Sequence, residues 1–100
     1  MMEEKSVEIK LVGFPTLYDF LKSDRIQHVF SGHTLKDLIE DLFHKYGEKI
    51  RDTFWDQRID RLDPTIQVII NGKFVEASNP QSVEIFKDDH VSFLRLLAGG

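Results

Sequence analysis

The sequence predicts an α+β fold in which one amphipathic helix covers one face of a small sheet. Three observations predict it. Leu35, Leu38, Ile39, Leu42, Phe43 and Tyr46 recur at helical spacing, which makes a continuous apolar stripe about three turns long. Val7, Ile9 and Leu11 alternate with Glu8 and Lys10, the period of a strand with one buried face. Asn71-Gly72 sits between two β-rich segments, the pairing that a tight hairpin turn demands. A single amphipathic helix cannot bury its stripe alone, so a sheet must face it.

The elements follow in order. Val7 to Phe14 forms the first strand, and Pro15, which has no N–H for a ladder, stops it. Thr16 to Ile26 is a short link with room for one helical turn that drops Leu17, Phe20 or Leu21 onto the core. Gln27 to Phe30 is a short second strand, closed by Ser31-Gly32. Thr34 is placed to cap the main helix, with Asp37 favouring its positive N-terminus and Gly47 ending it in the left-handed conformation. Glu48 to Pro64 reads as an irregular segment with at most one further turn, tied down by Ile50, Phe54, Trp55, Ile59 and Leu62. Ile66 to Ile70 and Lys73 to Glu76 form the hairpin, with Val68 opposite Val75 and Ile69 opposite Phe74. Asn79-Pro80 and Asp88-Asp89 mark turns on either side of a short bridge, Val83 to Phe86. Val91 to Leu96 is the last strand, which is able to pair with the first at the sheet centre. The whole of 1–100 is expected to be a single domain, with a flexible tail at about 97–100.

Composition narrows the function classes. Net charge is −4 and the basic residues are scattered among acids, which disfavours nucleic-acid binding. There are no cysteines, which excludes a disulfide framework, a Cys-based zinc site and a thiol nucleophile. No apolar run approaches membrane-spanning length and the acidic Met1-Met2-Glu3-Glu4 start is unlike a signal peptide, so a cytoplasmic location is expected. His28, His33, His44 and His90 are dispersed, without the spacing of a metal site, and are read as solvated or capping residues. Trp55 is read as an anchor of the core or the link in preference to an interface residue. No Ser/His/Asp constellation can be assembled, so the chain is not expected to be an enzyme, nor to bind a cofactor or metal.

Three stretches carry a family likeness: HTLKDLIEDLFHKYG (His33 to Gly47), VIINGKFV (Val68 to Val75) and KDDHVSFLRLLAGG (Lys87 to Gly100). In this order and spacing the chain resembles the β-grasp sulfur carriers, the small subunit of molybdopterin synthase, the thiamine sulfur carrier and their relatives. The likeness implies a ubiquitin-like β-grasp, a mixed sheet of four to five strands packed on one main helix. The long link after the helix is more like the molybdopterin-synthase and cysteine-synthesis carriers than the compact thiamine type. Two departures stand out. Arg95-Leu96-Leu97 replaces the usual prolines or small residues, and Lys87-Asp88-Asp89-His90 replaces the usual Asp-Gly-Asp turn.

Gly99 and Gly100 put a carboxylate on the least bulky residues available, so an extended tail can pass through a narrow channel into another protein. The resemblance implies that a ubiquitin-activating-type enzyme adenylates Gly100 with ATP, and that a sulfur donor then converts it to a thiocarboxylate. A molybdopterin synthase large subunit is a further implied partner. Phe93, Leu94, Arg95, Leu96, Leu97 and Ala98 precede the glycines and are expected to contact partners. Leu94 and Leu96 would form an apolar patch on the outer face, and Arg95 either meets an acidic group of the activating enzyme or is solvated. Two other readings stay open. The same tail suits a ubiquitin-like modifier joined to target lysines, and an inert terminus would leave a plain interaction module.

Overall fold

A computed structural model describes residues 4–95. Strands β1 (Glu4–Val12), β2 (Arg25–Ser31), β5 (Ile66–Ile70), β6 (Lys73–Val75) and β7 (His90–Arg95) form one five-stranded sheet in the order β2-β1-β7-β5-β6. β7 pairs parallel to β1 and antiparallel to β5, so the first and last strands do meet at the sheet centre. Val7, Ile9 and Leu11 of β1 and Val91 and Phe93 of β7 point inward and are buried. They share one core with Leu35, Leu38, Ile39 and Leu42 of helix α2 (Leu35–Tyr46).

α2 begins with a reciprocal cap. The Thr34 hydroxyl accepts the Asp37 N–H at 3.2 Å, while the Asp37 carboxylate accepts the N–H groups of His33 and Thr34 at 2.9 and 3.1 Å. Those donors hold the Asp37 carboxyl below its ordinary value, the His33 amide contributing most. The β5–β6 hairpin has the predicted register, Val68 opposite Val75 and Ile69 opposite Phe74. Asn71 and Gly72 both take positive φ, +52° and +83°, as a type I′ turn requires. The Asn71 side chain also binds the turn before β7, donating to Asp89 and accepting from the His90 N–H.

Several elements differ from the sequence reading. β1 and β2 run longer than expected, because pairing with each other extends both. Pro15 opens helix α1 (Pro15–Leu21) as well as following the strand, and a proline suits a first helical turn where no N–H is needed. Of the three candidates there, Leu17 is buried, Leu21 packs at the core margin and Phe20 is exposed. Gly47 has φ +80° but ψ −156°, so it ends α2 with positive φ without being left-handed helical, and the chain turns directly into α3 (Glu48–Phe54). The stretch read as irregular is therefore largely ordered. After α3, β3 (Trp55–Asp56) and β4 (Arg61–Leu62) form a small antiparallel ladder. Ile50, Phe54 and Leu62 are its buried anchors, Trp55 is half-buried edge-on to Phe43, and Ile59 is exposed. His28 is likewise neither solvated nor capping: it is fully buried beneath α2.

Candidate functional site

β7 carries the chain toward its C-terminal residues from the middle of the sheet, flanked on both sides. Leu94 lies beside Val12 of β1 and Gln67 of β5, and Arg95 lies opposite Ile66. The predicted partner residues divide here. Leu94 points to the open face and is partly exposed. Phe93 is fully buried and packs on Phe54 with ring centroids 4.8 Å apart, so alternation takes it into the core and out of any docking surface. Leu96, Leu97, Ala98, Gly99 and Gly100 lie outside the described residues.

Arg95 is only partly solvated, and its head group is engaged within the chain. Its guanidinium donates to the Thr53 carbonyl at 2.7 Å and to the Asp63 carboxylate at 3.3 Å. It also lies over the Phe14 ring, 5.1 Å from the centroid. The partners are 42 and 32 residues away in sequence, which is why no local pattern signalled them. The backbone is confined too: a Cβ on Gly13, which has φ +86°, would come within 2.6 Å of the Arg95 carbonyl oxygen. Only glycine lets the turn after β1 approach the end of β7 so closely.

The open face of the sheet carries more apolar surface than the sequence indicated. Register puts Val12 and Leu94 on this face in one row with Gln67, and Ile69 and Phe74 in the preceding row with Ser92. Val12 is 38% exposed and Phe74 71% exposed. Lys10 and Arg25 sit opposite each other in the same row as Ser92, Ile69 and Phe74. The hairpin register was readable, and it makes Ile69 and Phe74 neighbours, but which face they share depends on where α2 packs. Alternation puts Val12 on the face of Glu8 and Lys10, but its neighbour there, Leu94, is distant in sequence.

Elsewhere the chemistry is sparse. Among the described residues no group of three or more His, Asp or Glu side chains is arranged to hold a metal ion. A surface groove of about 710 Å³ between α2, α3 and the loop at Pro80 mixes Lys36, Glu40, Arg51 and Asp60 with Phe43 and Trp55, with no convergent set of groups.

The model of the ThiS family matches residues 12–100. No curated protein matches the chain. Among solved structures, the small archaeal modifier protein 1 of Methanosarcina acetivorans superposes with a TM-score of 0.71 at 19% identity, covering 98% of this chain and 99% of that one. The CysO-containing structure from Amycolatopsis orientalis, a BexX/CysO complex, gives 0.71 at 19% identity over 94% and 99%. Urm1 of Trypanosoma brucei gives 0.70 at 26% identity over the full length of both chains. The shared architecture is the ubiquitin-like β-grasp.

Proposed function

The chain belongs to the ThiS family, whose members are sulfur carriers or ubiquitin-like modifiers, and we propose that it works as a sulfur carrier through the carboxylate of Gly100. The single observation that carries this reading is a family match that continues through residue 100, and so through Gly99-Gly100. A carboxylate is a poor acyl donor and must first be activated. Its oxygen attacks the α-phosphorus of ATP in an adenylating enzyme, and pyrophosphate leaves. Sulfur at the hydrosulfide level then attacks the carbonyl carbon, and AMP departs with the bridging oxygen. The product is a C-terminal thiocarboxylate, a nucleophile that hands sulfur to an acceptor in a second protein. The carrier supplies no thiol of its own, consistent with a sequence that has no cysteine, and the catalysis belongs to its partners. ATP is consumed there too; the carrier is expected to retain no cofactor.

Partners follow from this chemistry: the adenylating enzyme, a sulfur donor, and an acceptor complex such as one that builds molybdopterin. The open face that carries Val12, Leu94, Ile69 and Phe74 is the surface we assign to docking, since apolar residues left uncovered on a sheet face suit a protein partner. A cytoplasmic site of action fits partners that use ATP; no helix among the described residues is long and apolar enough to cross a membrane. The second reading, conjugation to protein lysines through the same activated Gly100, is favoured by the likeness to a protein described as a modifier.

Intact mass after incubation with ATP, a sulfur donor and the adenylating enzyme of the same organism tests the carrier reading, alongside a mercury-containing gel. A retarded species that disappears when Gly100 is deleted supports a thiocarboxylate. A chain that stays unconverted while a known carrier is converted rejects it, and slower-migrating covalent adducts on target proteins would favour the modifier.

A further inference from the structure

We propose that Asn71 is a site of spontaneous covalent modification, deamidation with the Gly72 nitrogen as nucleophile, and that the clasp Asn71 makes with Asp89 and His90 both delays this reaction and is destroyed by it. The inference concerns the hairpin turn and the entry of β7, and is independent of the carrier reading.

Residue chemistry singles out this position. The chain has two asparagines. Asn79 precedes Pro80, whose nitrogen carries no hydrogen to lose and so cannot become the nucleophile. Asn71 precedes Gly72, which hinders attack least because it has no Cβ. A Cβ built on Gly72 would meet nothing within 4 Å, so water and solvent base can reach the turn. The reaction closes a ring and then opens it. Solvent base takes the Gly72 amide proton, and the nitrogen attacks Asn71 Cγ. The new N–Cγ bond forms, the Cγ–Nδ2 bond breaks, and ammonia leaves with a proton returned by solvent. Water then adds to one of the two imide carbonyls. Cutting the new bond gives aspartate, and cutting the original peptide bond gives isoaspartate.

The fold holds the reacting amide back. Asn71 Nδ2 donates to Asp89 Oδ1 at 2.9 Å, and Asn71 Oδ1 accepts the His90 N–H at 2.9 Å. The Asn71 N–H donates to the His90 carbonyl, also at 2.9 Å. A side-chain amide held through both its nitrogen and its oxygen cannot swing Cγ onto the following nitrogen without giving up both bonds. The backbone is restrained as well, at φ +52°, by the pairing of Ile70 with Lys73 across the turn. Conversion in the folded chain must therefore wait for the clasp to open.

The product cannot re-form the clasp. Asp89 is 8% exposed, and its Oδ2 accepts the Phe86 N–H at 2.8 Å. Its Oδ1 loses a donor when the Asn71 nitrogen is replaced by oxygen. An ionised carboxylate has only acceptors to offer, so the new group sets a second negative charge against the first. No cationic side chain among the described residues pairs with Asp89. The isoaspartyl product also adds a methylene to the main chain of a two-residue turn, whose length fixes the hairpin register. The disturbance passes to the sheet centre. The Asp89 carbonyl accepts the Glu8 N–H at 3.0 Å, and the Asp88 N–H donates to the Ser6 carbonyl at 2.8 Å.

The test is peptide mapping by mass spectrometry that resolves asparagine, aspartate and isoaspartate at residue 71. Conversion is followed at one pH, in buffer and in guanidinium chloride. Folded wild type should convert roughly tenfold more slowly than the denatured chain, the effect of keeping two hydrogen bonds closed. Asp89→Ala, which removes the acceptor of Asn71 Nδ2, should convert at least about threefold faster than wild type in buffer and at the wild-type rate in denaturant. Asn71→Asp, which supplies the aspartyl product directly, should unfold at a lower urea concentration than wild type. Equal rates in buffer and denaturant overturn the proposal. So does an absence of conversion at residue 71 in denaturant, or an Asn71→Asp chain as stable as wild type. An Asp89→Ala chain that is folded yet converts at the wild-type rate in buffer overturns it too. If Asp89→Ala does not fold, the wild-type rate comparison and Asn71→Asp decide.

Discussion

His28 and Arg95 are both basic residues of the sheet that lean on an aspartate, yet they solve opposite problems. His28 lies on β2, at one edge of the sheet, with no exposed surface; its Nε2 is 2.6 Å from the Asp41 carboxylate, and Phe30 and Tyr46 flank the ring. Its Nδ1 is buried without a partner. A proton there would be a buried donor with nothing to bind, so the ring is neutral and Nε2–H donates to Asp41. Burial pushes the His28 pKa down and outweighs the pull of Asp41 in the other direction, with Lys45 adding to the lowering. Arg95, on the central strand, stays partly wet, keeps its charge and has fixed acceptors. One pair uses its polar group in packing a helix over an edge strand, where protonation disrupts it; the other ties β7 to α3 and to Asp63 at any physiological pH. The difference teaches that distance to a carboxylate says less than whether the remaining polar atoms are satisfied.

The largest perturbation to this contrast should come from Phe54→Ala. Phe54 joins Phe14, the platform under Arg95, to Phe93 in the core, and its loss should cost about 3–5 kcal/mol in urea unfolding. Gly13→Ala combines the backbone collision at Arg95 with an unfavourable positive φ and should cost about 2 kcal/mol by the same measurement. Asp41→Ala removes the one acceptor of a buried imidazole and should cost about 1–2 kcal/mol. Acid should separate the two pairs more clearly. Because folding lowers the His28 pKa below its ordinary 6.5, the unfolded chain binds more protons beneath that value. The contribution is full above pH 6.5 and is lost as pH falls below it. His28→Leu should flatten that limb of a stability–pH curve, leaving the separate loss at lower pH, beneath 3.8, where the capping carboxylate of Asp37 protonates. The smallest effect belongs to Asp63→Asn, about 0.5 kcal/mol on stability in the same urea unfolding.

The parts of this molecule that could be read in advance were those specified by neighbours in sequence. The α2 stripe, the Thr34 cap and the Asn71-Gly72 turn each depend on side chains within a few residues of one another. So does the register that pairs Val68 with Val75. Alternation in β1 was legible because one face is buried. What stayed hidden depends on distant segments. α3 has only Ile50 and Phe54 as a buried pair, too short a repeat to distinguish a helix from a link, and the β3–β4 ladder is two residues deep on each side. Nothing local tells that His28 lies beneath Asp41, or that Arg95 finds Thr53 and Asp63. Phe93 was grouped with the docking residues by proximity to the glycines, whereas the pleat of β7 gives it to the core.

The parallel pairing of β1 with β7 also has a mechanical meaning. Force applied at the start of β1 and at the end of β7 acts along the two strands in opposite directions, so it loads their ladder in shear. The hydrogen bonds of that pair must then yield together, whereas a hairpin pulled apart at its open end yields one bond at a time. Tension between those two points would thus be borne across the middle of the sheet.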